Sequence, residues 1–212
     1  MAKKNAAQLT LFQETVYEYF VLLSPGEEII EAVDGLKQLL HEQIGLEPYN
    51  RNSIAHLSLF KTEGVADAPV VKLVKKAAAG LQPFTVRLCG HEVLKHGNAS
   101  RTLCLKLEDP EPVTALMAAL DPRPEQKPAY RQTSILDKPK RPKKAIHPHV
   151  TIARNIAVGD FDRITDFTPF DLHAEWVCDK ITILRRVAGS TGHFSPCKVV
   201  ALTPQGATPV AE

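Results

Sequence analysis

The sequence predicts an α+β fold in which two pseudo-symmetric lobes of mostly antiparallel sheet, with flanking helices, enclose a cleft. Three observations carry that expectation. Strand-like and helix-like segments alternate along the chain with readable start and stop signals. No close repeat of fixed period exists, yet each half offers several strands and at least one helix. Each half also holds one tetrad of the form His, apolar, hydroxyl, apolar: His56-Leu57-Ser58-Leu59 and His149-Val150-Thr151-Ile152.

The elements follow in order. A strand over 16–23 leads into Ser24-Pro25-Gly26-Glu27, which reads as a capping hydroxyl, a proline at the first helical position and a glutamate two residues on. Ile29, Ile30, Val33, Leu36, Leu40 and Ile44 then recur at helical spacing, and Gly45 stands where a left-handed cap ends such a helix. The first tetrad predicts a strand over 54–60, and a second helix is expected over 69–79 before Gly80. Strands over 84–94 and 102–107 flank the turn-like His96-Gly97-Asn98 and read as a hairpin. Asp109-Pro110 caps a third helix with Val113, Leu116, Met117 and Leu120 inward, stopped by Pro122 and Pro124.

The stretch 122–146 differs in kind: rich in proline and basic residues, with the run Lys138 to Lys144 and little apolar periodicity, it reads as a long basic loop. The second tetrad ends it and opens a strand over 149–153. A short helix is expected from Asp160, and strands over 170–177, 180–187 and 193–202. Residues 1–13 and 204–212 read as tails, leaving 14–203 as a single bilobal domain.

Composition bounds the function. With 44% hydrophobic residues in 212, the chain can bury a proper core, and 26 basic against 24 acidic residues exclude the cationic surface of a non-specific nucleic-acid coat. Cys89, Cys104, Cys178 and Cys197 are scattered, without a C-x-x-C pair, which points to reduced thiols and a cytoplasmic location. Lys3 and Lys4 precede no uninterrupted apolar run, and no run approaches the roughly 20 residues of a bilayer span, so neither secretion nor membrane embedding is expected. A monomer is expected.

On a strand, alternate side chains share a face, so each tetrad presents its imidazole and its hydroxyl, about 7 Å apart, on one side and its aliphatic pair on the other. Two such strands across a cleft bring together opposed imidazoles, which suits acid–base chemistry at a phosphodiester. One ring removes a proton from water or a hydroxyl while the other protonates the departing oxygen; Ser58 and Thr151 donate to the non-bridging oxygens. Which histidine is acid and which base stays open. No metal or other cofactor is required. Taken singly, either tetrad is an ordinary strand with a structural histidine; the pairing carries the catalytic reading.

The tetrads, with Pro148 before the second and Arg154 closing a Pro-His-x-Thr-x-x-Arg extension, resemble the paired motifs of the two-histidine (2H) phosphoesterase superfamily, in particular its LigT-like 2′-5′ RNA ligase and cyclic phosphodiesterase branch. The order of elements from about residue 16 to 203 is similar too. The resemblance implies a bilobal fold and an enzyme acting on 2′-5′ or 2′,3′-cyclic phosphodiesters of RNA or nucleotides. Ser58 departs from the threonine commoner in the first motif, no long helix follows Thr151, and the loop 122–146 is unusually long and basic.

Around this core the sequence offers further substrate-contacting candidates. His147 flanks His149; Lys143 belongs to the basic run; Tyr130 and Phe194 are aromatic platforms for a base, with core packing the alternative for Phe194. Strand parity puts Arg154 on the face opposite His149 and Thr151, where it is expected to brace the strand through a salt bridge. Two other readings stand beside the enzyme: a non-catalytic RNA- or nucleotide-binding module using the basic loop, and a metal-dependent hydrolase centred on the His147/His149 pair.

Overall fold

A computed structural model describes residues 14–120, 143–144 and 147–202. The expected tails, and the loop 122–146 apart from its residues 143–144, lie outside the described residues, as does Tyr130. The elements are β1 (Tyr17–Leu23), α1 (Glu27–Ile44), α2 (Pro48–Arg51), β2 (Leu57–Gly64), α3 (Asp67–Ala78), β3 (Phe84–His96), β4 (Ser100–Leu107), α4 (Glu111–Ala119), β5 (Lys143–Lys144), β6 (His149–Ala157), α5 (Val158–Phe161), β7 (His173–Cys178), β8 (Lys180–Val187) and β9 (Ser195–Ala201).

All strand pairings are antiparallel, in the order β7-β3-β4-β6-β2-β1-β8-β9, with β5 added beside β2. Among the described residues the two halves, β7-β3-β4-β6 and β2-β1-β8-β9, meet through the pairing of Leu57 with Val150. Each half therefore presents its tetrad strand at the junction, and the predicted pseudo-symmetry is realised as a sheet hinged at its centre. Helix packing ties the halves together: α1 lies against β6, and α4 against β2. Leu57, Leu59, Val150 and Ile152 are all buried to within 1% and join one core with Val21, Leu23, Leu103 and Leu105.

Both tetrad strands carry a bulge at the same place. Against β1, Ser58 pairs with Leu22 but Phe60 pairs with Val21, leaving Leu59 as the extra residue. Against β4, Thr151 pairs with Cys104 but Ala153 pairs with Leu103, leaving Ile152 as the extra residue. Such an insertion reverses the facing of every side chain beyond it.

Several local expectations shift. Helix α1 begins at Glu27 with Gly26 as its N-cap and no side-chain cap bond; the Ser24 hydroxyl meets Thr182 at 3.4 Å instead, so the expected capping hydroxyl is used across the sheet. Its C-terminal end is as expected, Gly45 at φ 74° donating to His41. The first tetrad strand starts at Leu57 rather than Ile54, because the carbonyls of Ser53 and Ile54 are taken by Lys37 and His56 side chains instead of a partner strand. Asp109 accepts the Glu111 N–H at 3.0 Å, as a cap of α4 should. No helix among the described residues is long and apolar enough to cross a membrane.

Candidate active site

The Leu57–Val150 pairing sets the geometry. With those two buried on the helix-covered face, the antiparallel register places Ser58 beside His149 and His56 beside Thr151 on the open face. The imidazoles occupy one diagonal of a four-residue patch and the hydroxyls the other. Diagonal neighbours across an antiparallel pair stand about 7–8 Å apart, room for a phosphate between them.

The two rings are held alike. His56 Nδ1 donates to the carbonyl of Ile54 at 2.7 Å, and His149 Nδ1 donates to the carbonyl of His147 at 2.6 Å. A carbonyl can only accept, so each neutral ring is fixed as the Nδ1–H tautomer with its Nε2 lone pair free. Among the described residues, no hydrogen bond engages either Nε2. Burial lowers the pKa of both rings from the ordinary histidine value. At His56 the nearby positive charges of Arg154, Lys37 and Lys61 push the same way; at His149, His147 and His96 lower it further while Glu92 works against them.

An open cleft of about 290 Å³ adjoins this patch, lined by Ser58, His149 and Thr151 together with Leu94, His96 and Thr102 from the hairpin β3–β4 and Arg154 and Asn155 from β6. His96 Nε2 and the Thr102 hydroxyl are 2.9 Å apart on that wall. His56 does not line this cavity; its ring stands on the other flank, edge-on to Phe20 with centroids 5.0 Å apart.

Arg154 overturns the parity expectation. The bulge at Ile152 turns both Ile152 and Ala153 into the core and returns Arg154 to the face of His149 and Thr151. Among the described residues no ion pair to Arg154 forms, and its guanidinium lies on the cleft wall, 5.9 Å from the Tyr49 ring centroid. Buried Asn50 fixes its backbone from both sides, donating to the Arg154 carbonyl at 2.9 Å and accepting its N–H at 3.0 Å. Asn155, at φ 56°, completes the turn of the strand in a left-handed conformation that asparagine tolerates better than most residues.

The remaining candidates divide. His147 lies beside His149, ring centroids 6.4 Å apart, with its Nε2 bonded to Glu92 at 2.8 Å. Phe194 sits on the His56 flank, partly buried, 5.6 Å from Phe20 and beneath the Arg186 guanidinium at 4.4 Å. Lys143 is described only by its backbone pairing with Lys61. Among the described residues, no group of three or more His, Cys, Asp or Glu side chains is placed to hold a metal ion. Asn50, Glu92, His96 and Thr102 had no signal in the sequence beyond a Pro at the start of a four-residue helix and the alternation of a hairpin.

A hinged antiparallel sheet that brings a histidine and a hydroxyl from each half to its junction is the arrangement the paired tetrads predict for a two-histidine phosphoesterase. The chain belongs to the 2′-5′ RNA ligase superfamily, whose family model matches residues 25–190. The fold is similar to the crystal structure of TT0787 of Thermus thermophilus (TM-score 0.59, 17% identity, covering 89% of this chain and 99% of that one). It is also similar to E. coli LigT in its apo form (TM-score 0.57, 17% identity, 89% and 98%) and complexed with 3′-AMP (TM-score 0.56, 16% identity, 89% and 99%). No curated protein sequence matches the chain. Members of this superfamily are enzymes, and the chain is a phosphoesterase of the 2′-5′ RNA ligase kind.

Proposed function

We propose that the protein cleaves, or in reverse joins, 2′-5′ or 2′,3′-cyclic phosphodiester bonds of RNA or nucleotides, with His56 and His149 as its acid–base pair. The observation that carries this reading is that both imidazoles are held by the same Nδ1–H to backbone bond, on strands that meet at the Leu57–Val150 pairing. In hydrolysis of a 2′,3′-cyclic phosphate, one Nε2 takes a proton from the attacking water as its oxygen bonds to phosphorus. The other ring, protonated, gives its proton to the ribose oxygen that leaves, and a phosphomonoester remains beside a free hydroxyl. Ser58 and Thr151 donate to the non-bridging oxygens as charge builds there, and Arg154 supplies positive charge from the cleft wall.

Burial lowers the pKa of both rings alike, so either can serve as the neutral base, and the roles exchange between the cleavage and joining directions. The complex of LigT with 3′-AMP supports a nucleotide ligand here. The apolar Leu94 and the polar His96–Thr102 wall suit a ribose and base on the β3–β4 side, with His147 at its rim. Neither proton transfer calls for a metal. Four free cysteines support a reducing, cytoplasmic setting.

The test is turnover of 2′,3′-cyclic nucleotides and 2′-5′ dinucleotides in the presence of a chelator. His56→Ala and His149→Ala are each expected to lose about 10²–10⁴-fold in rate with the fold intact, and Ser58→Ala or Thr151→Ala less. Binding without turnover would favour a nucleotide-binding module, and loss of activity in chelator a metal-dependent hydrolase.

A further inference from the structure

The bulge that returns Arg154 to the cleft has a twin. In the second half the chain reads His149, Thr151, Arg154; in the first it reads His56, Ser58, Lys61, with the same spacing and the same extra residue after the hydroxyl. Leu59 and Phe60 both turn into the core, as Ile152 and Ala153 do, and Lys61 emerges on the face of His56 and Ser58. The repeated unit is therefore His, apolar, hydroxyl, two apolar residues, cation, and the motif reaches two residues beyond each tetrad. A surface lysine placed by chance would need no bulge to reach the open face.

We propose that Lys61 is a substrate-contacting cation, the counterpart of Arg154, which meets the phosphate held between the two histidines from the His56 side. This rests on the acid–base reading given above and adds a group to it. The Lys61 Nζ stands 4.5 Å from the centroid of Phe20, whose ring is the edge-on neighbour of His56, and 5.2 Å from that of Phe194. Its charge, like those of Arg154 and Lys37, adds to the positive field at His56.

Its resting partner is loose. Glu18 takes the Arg186 guanidinium at 2.7 Å but holds Lys61 Nζ only at 3.6 Å, beyond the usual length of a charge-assisted hydrogen bond. Partial burial also lowers the Lys61 pKa. An ammonium lifted from water, set on aromatic faces and weakly paired gives up little when an anion arrives. Its flexible stem lets it swing from the aromatic pair to the phosphate, whereas Arg154 is pinned through its backbone by Asn50.

The experiment compares Lys61→Met, Lys61→Gln and Lys61→Arg with Arg154→Met, on two probes that carry a single phosphorus: inorganic phosphate, by calorimetry, and a 2′,3′-cyclic mononucleotide, by initial rates. Lys61→Met and Lys61→Gln are expected to weaken phosphate binding and to lower kcat/KM each by about 10-fold or more, as loss of a charged hydrogen bond does. Lys61→Arg is expected to recover most of both. Wild-type values in Lys61→Met and Lys61→Gln, beside a clear loss in Arg154→Met, would overturn the assignment while leaving the acid–base reading standing. So would a Lys61→Arg protein as impaired as Lys61→Met, because a structural role would be indifferent to charge. Failure of the wild type to turn over any cyclic nucleotide would sink the acid–base reading instead, and phosphate calorimetry would still decide on Lys61. A wild type that neither binds phosphate nor turns over would end both.

Discussion

Asn50→Ala tests whether the bulge at Ile152 places Arg154. The Asn50 side chain is buried, 4% exposed, and satisfies both the N–H and the C=O of Arg154. Removing it deletes two hydrogen bonds, each worth about 1 kcal/mol net, and leaves two backbone groups with one partner fewer. Water reaches the exposed cleft side, so part of the desolvation penalty is recovered, and the expected loss is about 2–4 kcal/mol. For a chain of this size that corresponds to a fall in Tm of roughly 4–16 °C. The assay is thermal or denaturant unfolding run beside kcat/KM on a cyclic nucleotide. Activity should fall further than the folded fraction does, because a slipped bulge turns Arg154 away from the cleft. Asn50→Asp, which keeps the acceptor and loses the donor, should lie between. An Asn50→Ala protein within about 0.5 kcal/mol of wild type, the scale of a neutral surface change, and with full activity would refute the reasoning.

Further outcomes follow from the same geometry. The free enzyme needs one ring neutral and one protonated, and burial sets both pKa values below 6.5. The kcat/KM profile should therefore be a bell centred below about pH 6.5 and decline above it, while the kcat profile sits higher because bound phosphate favours the protonated rings. Depressed folded-state pKa values also mean that the unfolded chain binds more protons. The stability contributed by these rings is complete above about pH 6.5 and is lost as pH falls through their folded values, which a Tm series across pH 4–8 checks, the range flanking the ordinary histidine pKa of about 6.5. Leu57→Ala should cost about 2–5 kcal/mol, since Leu57 is 0% exposed and pairs with Val150 where the halves meet. It should also lower kcat more than KM, by loosening the opposition of the rings.

Much of the site was legible because it obeys the simplest rule of a strand. His56 and Ser58, like His149 and Thr151, alternate with buried aliphatics, and a period of two needs no tertiary knowledge. Arg154 was misread for the same reason: parity counting cannot see a bulge, which is decided by the register against β4 and not by the residues Ile152 and Ala153 alone. Lys61 was hidden by the identical device on β2. Ser24 looked like a helix cap, but its hydroxyl turns toward Thr182, and the helix opens after Gly26. Lys37 falls on the apolar stripe of α1, where a charge is out of place until Asp34 and the Ser53 carbonyl are seen to receive its ammonium. Asn50 acts across more than a hundred residues of chain, a relation no local pattern encodes.

The claim on which the account turns is that both imidazoles keep a free Nε2 aimed at a single bound anion. Nitrogen NMR of the histidine rings reads this directly, since it reports the tautomer of each ring, its titration and its response to inorganic phosphate. The account predicts that His56 and His149 are both Nδ1–H tautomers at pH 7, that both titrate below pH 6.5, and that phosphate raises both pKa values together. A free Nδ1 with Nε2–H on either ring, or a phosphate response confined to one of them, would contradict it.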